Sequence, residues 1–189
     1  GLDAVITSDK NFIEGASGLI LPGVGAFGNA IENLERAHLM PVVLKFANSG
    51  KQFLGICLGM QLLFTESEEF GNFKGLNLIE GSIKKFPNSD ENGEINRVPQ
   101  IQWNTISEPQ KDKWLNTCFE NLRENEYMYF VHSYYAKPLN QTEILSYTTY
   151  GNTTYASSII KENITGIQFH PEKSSAGGLS IYKKWADQI

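Results

Sequence analysis

An apolar strand that turns directly into a helix at a cysteine is the feature that most constrains this chain. Residues 52–56 form a short apolar run that predicts a buried strand, and residues 58–65 have helical spacing. Cys57 lies between them in Gly55-Ile56-Cys57-Leu58-Gly59. So tight a turn leaves no room for a Cβ two residues before or after the cysteine, which accounts for the glycines. The pattern is typical of a nucleophile in an α/β protein.

Short apolar runs alternate with helix-length segments along the rest of the chain, which predicts an α/β sheet covered by helices. Apolar residues at helical spacing from Ile31 to Ala47 predict two helices broken near Pro41, and residues 180–189 predict a closing helix. Turn-forming residues predict a hairpin at Tyr150-Gly151-Asn152 and a surface loop at 87–93. Further strands are predicted at residues 4–7, 19–21, 79–86 (exposed or at an edge), 127–131, 144–149, 155–160 and 164–169.

The chain has 189 residues without repeats or a linker-like stretch, which predicts one domain over residues 1–189. Gly1 leads almost at once into a predicted strand, whereas α/β domains of this type usually begin with an earlier strand and helix. We therefore expect that this first unit is absent from the protein or from the sequence as given.

Charge and composition exclude several functional classes. A net charge of -5 and the lack of a lysine or arginine block argue against a nucleic-acid partner. No apolar run reaches the roughly 18–20 residues that cross a bilayer, and no signal peptide is evident, so no membrane partner is expected. The two cysteines lack CxxC spacing and no histidine or acidic cluster has ligand spacing. We expect no disulfide, no metal, no other cofactor and a location in the reducing cytoplasm.

The turn at Cys57 also predicts its chemistry. It places the sulfur at the amino end of a helix, where the dipole and free N–H groups favour a thiolate. We therefore expect Cys57 to be exposed and acidic, and Cys118, which has apolar neighbours and no glycines, to be buried core. The alternative is that Cys57 is a structural cysteine beside packing glycines.

A cysteine nucleophile needs a base, and three histidines compete for that role. His38 is predicted in a helix as a solvated residue, and His132 at the end of a strand. His170 also ends a strand and is followed by Pro171 and Glu172, whose carboxylate can fix the imidazole tautomer. His170 is the preferred base, although the pair could instead be a strand-capping histidine beside a surface glutamate.

Two segments, around Cys57 and His170, resemble the class I (triad) glutamine amidotransferases. Two further segments, which begin at Leu21 and Tyr129, are similar to the glutaminase subunits of imidazole glycerol phosphate synthases, enzymes of histidine biosynthesis, and the resemblance covers nearly the whole chain from Leu2. The segments are Gly55-Ile56-Cys57-Leu58-Gly59-Met60-Gln61, Gln168-Phe169-His170-Pro171-Glu172, Leu21-Pro22-Gly23-Val24-Gly25-Ala26-Phe27 and Tyr129-Phe130-Val131-His132-Ser133-Tyr134-Tyr135. The resemblance implies a flavodoxin-like sandwich: a central, mostly parallel sheet with helices on both faces, and extra antiparallel strands in the C-terminal third.

The resemblance also implies a set of site residues for the hydrolysis of L-glutamine. The nucleophile is Cys57, the base is His170 and its orienting carboxylate is Glu172. The backbone N–H of Leu58 and one from the Pro22–Gly25 loop would bind the oxyanion. Gln61 and the backbone around Ser133 and Tyr134 would hold the amino-acid end of the substrate. The oxyanion and substrate residues are Gly23, Val24, Gly25, Leu58, Gln61, Ser133 and Tyr134.

The partner that the resemblance implies is a (β/α)8-barrel cyclase, bound as a heterodimer, which receives the ammonia through an internal passage. Trp103 and Lys173 would contact it, although alone they would suggest a core residue and a solvated charge. Gln100 and Gln102 depart from the histidine and glycine usual there, which affects partner identity more than chemistry. Three alternatives remain: a glutaminase that feeds surface-sugar biosynthesis, a free-standing cysteine hydrolase such as a γ-glutamyl hydrolase, and a catalytically silent subunit.

Overall fold

The computed structural model describes residues 3–89 and 95–189, which form a nine-stranded sheet, a two-stranded sheet and surrounding helices. The helices are α1 (Lys10–Gly15), α2 (Phe27–Arg36), α3 (Met40–Ala47), α4 (Leu58–Leu62) and α5 (Ser175–Ala186). The strands are β1 (Gly18–Gly23), β2 (Gln52–Cys57), β3 (Phe64–Ser67), β4 (Phe73–Lys74), β5 (Ile79–Lys85), β6 (Gln100–Ile106), β7 (Glu126–His132), β8 (Tyr134–Pro138), β9 (Ile144–Tyr150), β10 (Thr153–Lys161) and β11 (Ile164–Ile167).

The large sheet has the order β1-β2-β11-β10-β8-β5-β3-β4, with β9 paired to β10. β2 lies between β1 and β11 and is parallel to both, so the carboxyl ends of these three strands lie side by side. β10 is antiparallel to β8, β9 and β11, which confirms the antiparallel strands predicted for the C-terminal third. β6 and β7 form the separate antiparallel pair.

Two apolar clusters cover the two faces of the large sheet. Phe53 of β2 packs in the cluster that includes residues of α1, α2 and α3, whereas the next residue, Leu54, packs in the cluster that includes α5. Both side chains are fully buried. Burial on both faces explains why β2 is a continuous apolar run and confirms the predicted α/β sheet with helices on both faces.

Most predicted elements are confirmed. β1, β2, β7, β9, β10 and β11 lie where strands were predicted, and the hairpin turn joins β9 to β10. The two helices α2 and α3 are separated near Pro41, which lies in the first turn of α3. β3, β4, β6, β8 and α1 were not predicted, and the closing helix begins five residues earlier than expected, at Ser175 rather than at residue 180.

The strand predicted at residues 4–7 is wrong. These residues are irregular, and the side chains of Val5 and Ile6 are exposed. Among the described residues the segment pairs with no strand, and polar side chains direct it into α1. The Thr7 hydroxyl accepts the Asp9 N–H, and the Asp9 carboxylate accepts the Phe12 N–H as the cap of that helix.

Two further predictions fail because sheet pairing overrides local pattern. The helix predicted to residue 65 ends at Leu62, because Phe64 begins β3 and pairs with Ile79 of β5. β5 itself is no edge strand, since it lies between β3 and β8. Of the loop predicted at 87–93, residues 87–89 are exposed and residues 90–93 lie outside the described part of the chain.

Candidate active site

The turn at Cys57 has the strained geometry that its sequence predicts. Cys57 has φ 54° and ψ -113°, in a region that residues with a Cβ rarely adopt. A Cβ on Gly59 would lie 1.8 Å from the Leu21 carbonyl oxygen, and one on Gly55 would lie 2.9 Å from the Gly59 carbonyl oxygen. Both glycines are therefore required for β1, β2 and α4 to meet around the cysteine.

Strand pairing brings His170 to the cysteine. Ile167, at the end of β11, pairs with Ile56 of β2, so the residues after β11 lie beside Cys57. The His170 N–H donates to the Tyr129 carbonyl of β7 at 3.0 Å, which holds the segment in place. Cys57 and His170 line the same cavity of about 370 Å³, within the usual size range of small-molecule sites.

Glu172 orients the histidine as predicted. The imidazole Nδ1 lies 2.7 Å from Glu172 Oε1, and because a carboxylate can only accept, Nδ1 holds the proton. His170 Nε2 is buried and has no hydrogen-bond partner within residues 3–89 and 95–189. The Tyr182 hydroxyl donates to the other carboxylate oxygen at 3.4 Å. The lone pair of Nε2 is thus free to accept a proton.

The expectation that Cys57 is exposed and acidic is wrong. Its side chain is buried at 7% exposure, and burial raises the pKa of the thiol to about 11. The Leu58 N–H that faces the sulfur lowers this pKa, and the negative charge of Glu172 raises it further. The Leu58 N–H therefore does not offset the loss of water around the sulfur. Cys118 is buried core as predicted, with a pKa raised by burial to about 12.

Gln61 lines the cavity and holds its wall together. Its Nε2 donates to the Tyr134 carbonyl at 3.1 Å and to Gln168 Oε1 at 2.9 Å. Ser133, between β7 and β8, and Tyr134, the first residue of β8, also line the cavity. Gln168 was not predicted as a site residue, although a glutamine in the apolar run Ile167-Gln168-Phe169 was a visible signal.

The loop after β1 also lines the cavity. Val24 and Gly25 line the cavity, and Gly25 has a left-handed φ of 95°. Gly23 is not among the lining residues. It pairs with Cys57 in the sheet, and a Cβ there would lie 2.9 Å from Leu58 Cβ, so its role is the close approach of β1 to the turn.

Glu69 supplies a carboxylate to the cavity that sequence reasoning missed. Its Oε2 accepts the Phe27 N–H at 2.6 Å, and burial raises the pKa of the carboxyl group while this hydrogen bond opposes the rise. Glu69 lies twelve residues after Cys57, with β3 between them, and no local motif distinguishes it from Glu66 or Glu68.

The other two histidines do not fit the role of base. His132 lines the cavity, but its Nδ1 lies 2.8 Å from the Tyr134 carbonyl and its Nε2 lies 3.2 Å from the Tyr155 hydroxyl, so both ring nitrogens are engaged. Burial lowers the pKa of His132 to about 4. His38 lies in the turn after α2 with a φ of 53°, not in the helix as predicted.

Trp103 and Lys173 are brought together by one aromatic ring. Trp103 on β6 is 46% exposed and packs edge-on against Tyr129 of β7, with ring centroids 6.1 Å apart. Lys173 Nζ lies 5.8 Å from the same ring and lines the cavity. Trp103 is therefore not a core residue. The face of the β6–β7 sheet that carries Trp103 and Tyr129, here called the exposed β6–β7 face, meets the rim of the cavity at Lys173.

Within the described ranges, no three His, Cys, Asp or Glu side chains cluster in a way that could hold a metal ion. Nor does the described part of the chain contain a helix long and apolar enough to span a bilayer.

Comparisons with known proteins show the family to which the chain is similar. Residues 4–187 match the family model described as glutamine amidotransferase class-I. The imidazole glycerol phosphate synthase subunit HisH of Geobacter metallireducens is 42% identical over 98% of this chain and 87% of its own length. The subunit HisH 1 of Legionella pneumophila is 40% identical over 95% of this chain and 85% of its own. A crystal structure of a glutamine amidotransferase, 17% identical, has a similar fold with a TM-score of 0.69 over 98% of this chain and 87% of that one.

Proposed function

Because this chain belongs to the class I glutamine amidotransferase family, we propose that it is the glutaminase subunit of an imidazole glycerol phosphate synthase. It hydrolyses L-glutamine to glutamate and ammonia, and the ammonia is used in histidine biosynthesis. The observation that carries this proposal is the meeting of Cys57 with the His170–Glu172 pair at one cavity. Support for the pathway comes from relatives about 40% identical over nearly the whole chain, which are named as this subunit.

The first half of the reaction forms a thioester. Because the resting thiol of Cys57 is neutral, its proton passes to His170 Nε2 as the sulfur attacks the side-chain amide carbon of glutamine. Glu172 stabilises the imidazolium that results. His170 then gives the proton to the departing nitrogen, and ammonia leaves.

The second half regenerates the enzyme. His170 takes a proton from water, the hydroxide attacks the thioester carbon, and the proton returns to sulfur as glutamate is released. In both halves the oxyanion is held by the Leu58 N–H and by an N–H of the loop at Gly23, Val24 and Gly25. The left-handed Gly25 lets a peptide unit of this loop rotate toward or away from the oxyanion, which would make it the switch that couples turnover to a partner.

We place the amino-acid end of the substrate beside Glu69, because its carboxylate is complementary in charge to the α-ammonium group. Glu69 accepts from the α-ammonium group, while Gln61 and the backbone at Ser133 and Tyr134 position the rest of that end. This orientation directs the side-chain amide of the substrate at Cys57.

The partner is a (β/α)8-barrel cyclase that forms a heterodimer with this chain in the cytoplasm. Trp103 and Lys173 form part of the contact, because they join the exposed β6–β7 face to the cavity rim through Tyr129. An aromatic residue half-exposed at a sheet surface is a typical anchor of an interface.

A glutamine-like diazo-ketone tests the proposed chemistry directly. We expect it to modify Cys57 and spare Cys118, and to do so much more slowly in His170→Ala, because the base that activates the sulfur is missing. Mass spectrometry of the two cysteine peptides gives the readout. Equal modification of both cysteines, or none at Cys57 while glutamine still binds, would contradict the assignment.

A further inference from the structure

We propose that Gln168 is a positioning residue that keeps an amide N–H directed at the Cys57 sulfur, and that Gln61 fixes its orientation. The inference rests on the proposed function for its consequence in catalysis, but its geometry stands on the structure alone. Gln168 is the residue that follows β11 and is fully buried, and its Nε2 lies 3.8 Å from Cys57 Sγ.

The orientation of both amides follows from a single backbone carbonyl. The Tyr134 oxygen can only accept, so the atom of Gln61 that lies 3.1 Å from it must be Nε2. The same Nε2 lies 2.9 Å from the Gln168 amide, so the facing atom of Gln168 must be its oxygen. Gln168 Nε2 is then turned to the sulfur. The chain from Tyr134 through Gln61 to Gln168 leaves no alternative assignment of oxygen and nitrogen.

The sulfur needs such a donor because its surroundings disfavour charge. Cys57 is buried, and the carboxylate of Glu172 adds a repulsive negative charge. When His170 takes the thiol proton, the negative charge on sulfur is stabilised by N–H groups that already point at it. The Leu58 N–H is one of them and Gln168 is the other. Donors fixed in advance cost no reorganisation during the reaction.

The two glutamines of this network are expected to have different roles, Gln61 at the substrate and Gln168 at the sulfur. Gln61 lines the cavity, whereas Gln168 is not among the lining residues. Gln168→Glu, which keeps an oxygen for Gln61, is therefore expected to lower kcat with little change in KM, because the donor to the sulfur is lost while the hydrogen bond that holds Gln61 at the cavity is kept. Gln61 variants change both parameters.

The test measures the reactivity of the Cys57 thiol itself, without glutamine. Gln168→Glu keeps the shape and an oxygen for Gln61 but replaces the donor with an acceptor, and Gln168→Met removes the donor without adding charge. Alkylation of the full chain by iodoacetamide is followed between pH 7 and 10, and the Cys57 peptide is quantified by mass spectrometry. Gln100→Met is the matched control, since it also removes a fully buried amide but one that bonds to Tyr155.

We expect alkylation of Cys57 at pH 8 to slow at least threefold in Gln168→Met and more in Gln168→Glu. A rise of one pKa unit reduces the thiolate about tenfold, and the greater nucleophilicity of the more basic thiolate restores about threefold of that. We expect kcat for glutamine hydrolysis to fall about tenfold, a typical effect of one lost hydrogen bond to a charged group. The Gln100→Met control should leave Cys57 alkylation unchanged.

Unchanged alkylation in both folded Gln168 variants would overturn the inference, whatever their turnover, because a purely structural glutamine does not alter the thiolate. An equal slowing in Gln100→Met would overturn it too. If the wild-type chain with its partner releases no glutamate while the alkylation rates follow the expected order, the proposed function fails and the role of Gln168 at the sulfur stands.

Discussion

At the scale of single residues, the thiol of Cys57, the proposed nucleophile, lies in surroundings that favour its neutral form. Burial raises the pKa of Cys57 to about 11, while His170 Nε2 has no hydrogen-bond partner among the residues that the structure describes and Glu172 accepts from Nδ1. A thiol in this state reacts slowly with small electrophiles at neutral pH. The proposed reaction therefore relies on proton transfer from Cys57 to His170, more than on a thiolate stabilised beforehand by the helix.

The triad predicts a ranking of substitutions. His170→Ala removes both base and acid, so we expect glutamine hydrolysis in the complex to fall by about 10⁴-fold or more. Glu172→Gln retains the imidazole and impairs only its orientation, so its defect should be about tenfold to a hundredfold smaller. Steady-state glutamate release measures both. A larger defect in His132→Ala than in His170→Ala would show that the wrong histidine was chosen.

His132 predicts a pH dependence of stability. Burial keeps it neutral down to about pH 4 in the folded protein, whereas the unfolded chain protonates it below about 6.5. The unfolded state thus binds more protons between these values, and stability is lost as the pH falls through this window. We expect the wild type to lose about 2 kcal/mol more than His132→Gln between pH 7 and pH 5 in urea unfolding. Parallel losses in the two proteins would contradict the buried, neutral state of His132.

At the scale of elements, the turn from β2 to α4 has little tolerance for an added side chain at Gly59. Gly59→Ala would place a Cβ 1.8 Å from the Leu21 carbonyl, so β1 must move away from the turn. We expect a loss of about 3 kcal/mol or more in urea unfolding, at the upper end of overpacking costs. Gly15→Ala at the end of α1 is the control, because its Cβ meets nothing within 4 Å, and its stability should be unchanged or slightly higher. Equal effects of the two substitutions would contradict the close packing of the turn.

The elements around the site were predictable from sequence, because each has a local signal. β2 is an apolar run, glycines flank Cys57, and His170 comes three residues after the end of the apolar β11. The failures arose where the decisive contact is distant in sequence. Phe64 leaves the helical pattern because it pairs with Ile79 of β5, and the four residues from Ala4 have no strand beside them in the described structure.

The same distinction separates what could be foreseen in the site from what could not. Cys57, His170 and Glu172 were predicted because their chemistry lies within short segments. The contact of Gln168 with the sulfur depends on Gln61, 107 positions away, and the position of Glu69 depends on its bond to Phe27. The high pKa of Cys57 follows from burial by several elements at once, and no motif around the residue encodes it.

At the scale of the whole molecule, we propose that the face of the β6–β7 sheet that carries Trp103 binds the partner subunit. Trp103→Ala should lower affinity for the cyclase subunit about 30-fold, the effect expected of an aromatic anchor worth about 2 kcal/mol. The free chain should lose little stability, since Trp103 is 46% exposed. Isothermal titration measures the affinity. Leu139→Ala, an exposed apolar residue outside β6 and β7, is the control and should bind normally. An unchanged affinity in Trp103→Ala would place the interface elsewhere.

Release of glutamate from glutamine by this chain bound to its cyclase subunit tests the central claim most directly. We expect the wild-type complex to hydrolyse glutamine about 10²- to 10³-fold faster than the chain alone, the factor expected when one oxyanion donor is gained. A complex that contains Cys57→Ala should release no glutamate above background. If the Cys57→Ala complex released glutamate at the wild-type rate, the assignment of Cys57 as nucleophile and of this cavity as the glutaminase site would be contradicted.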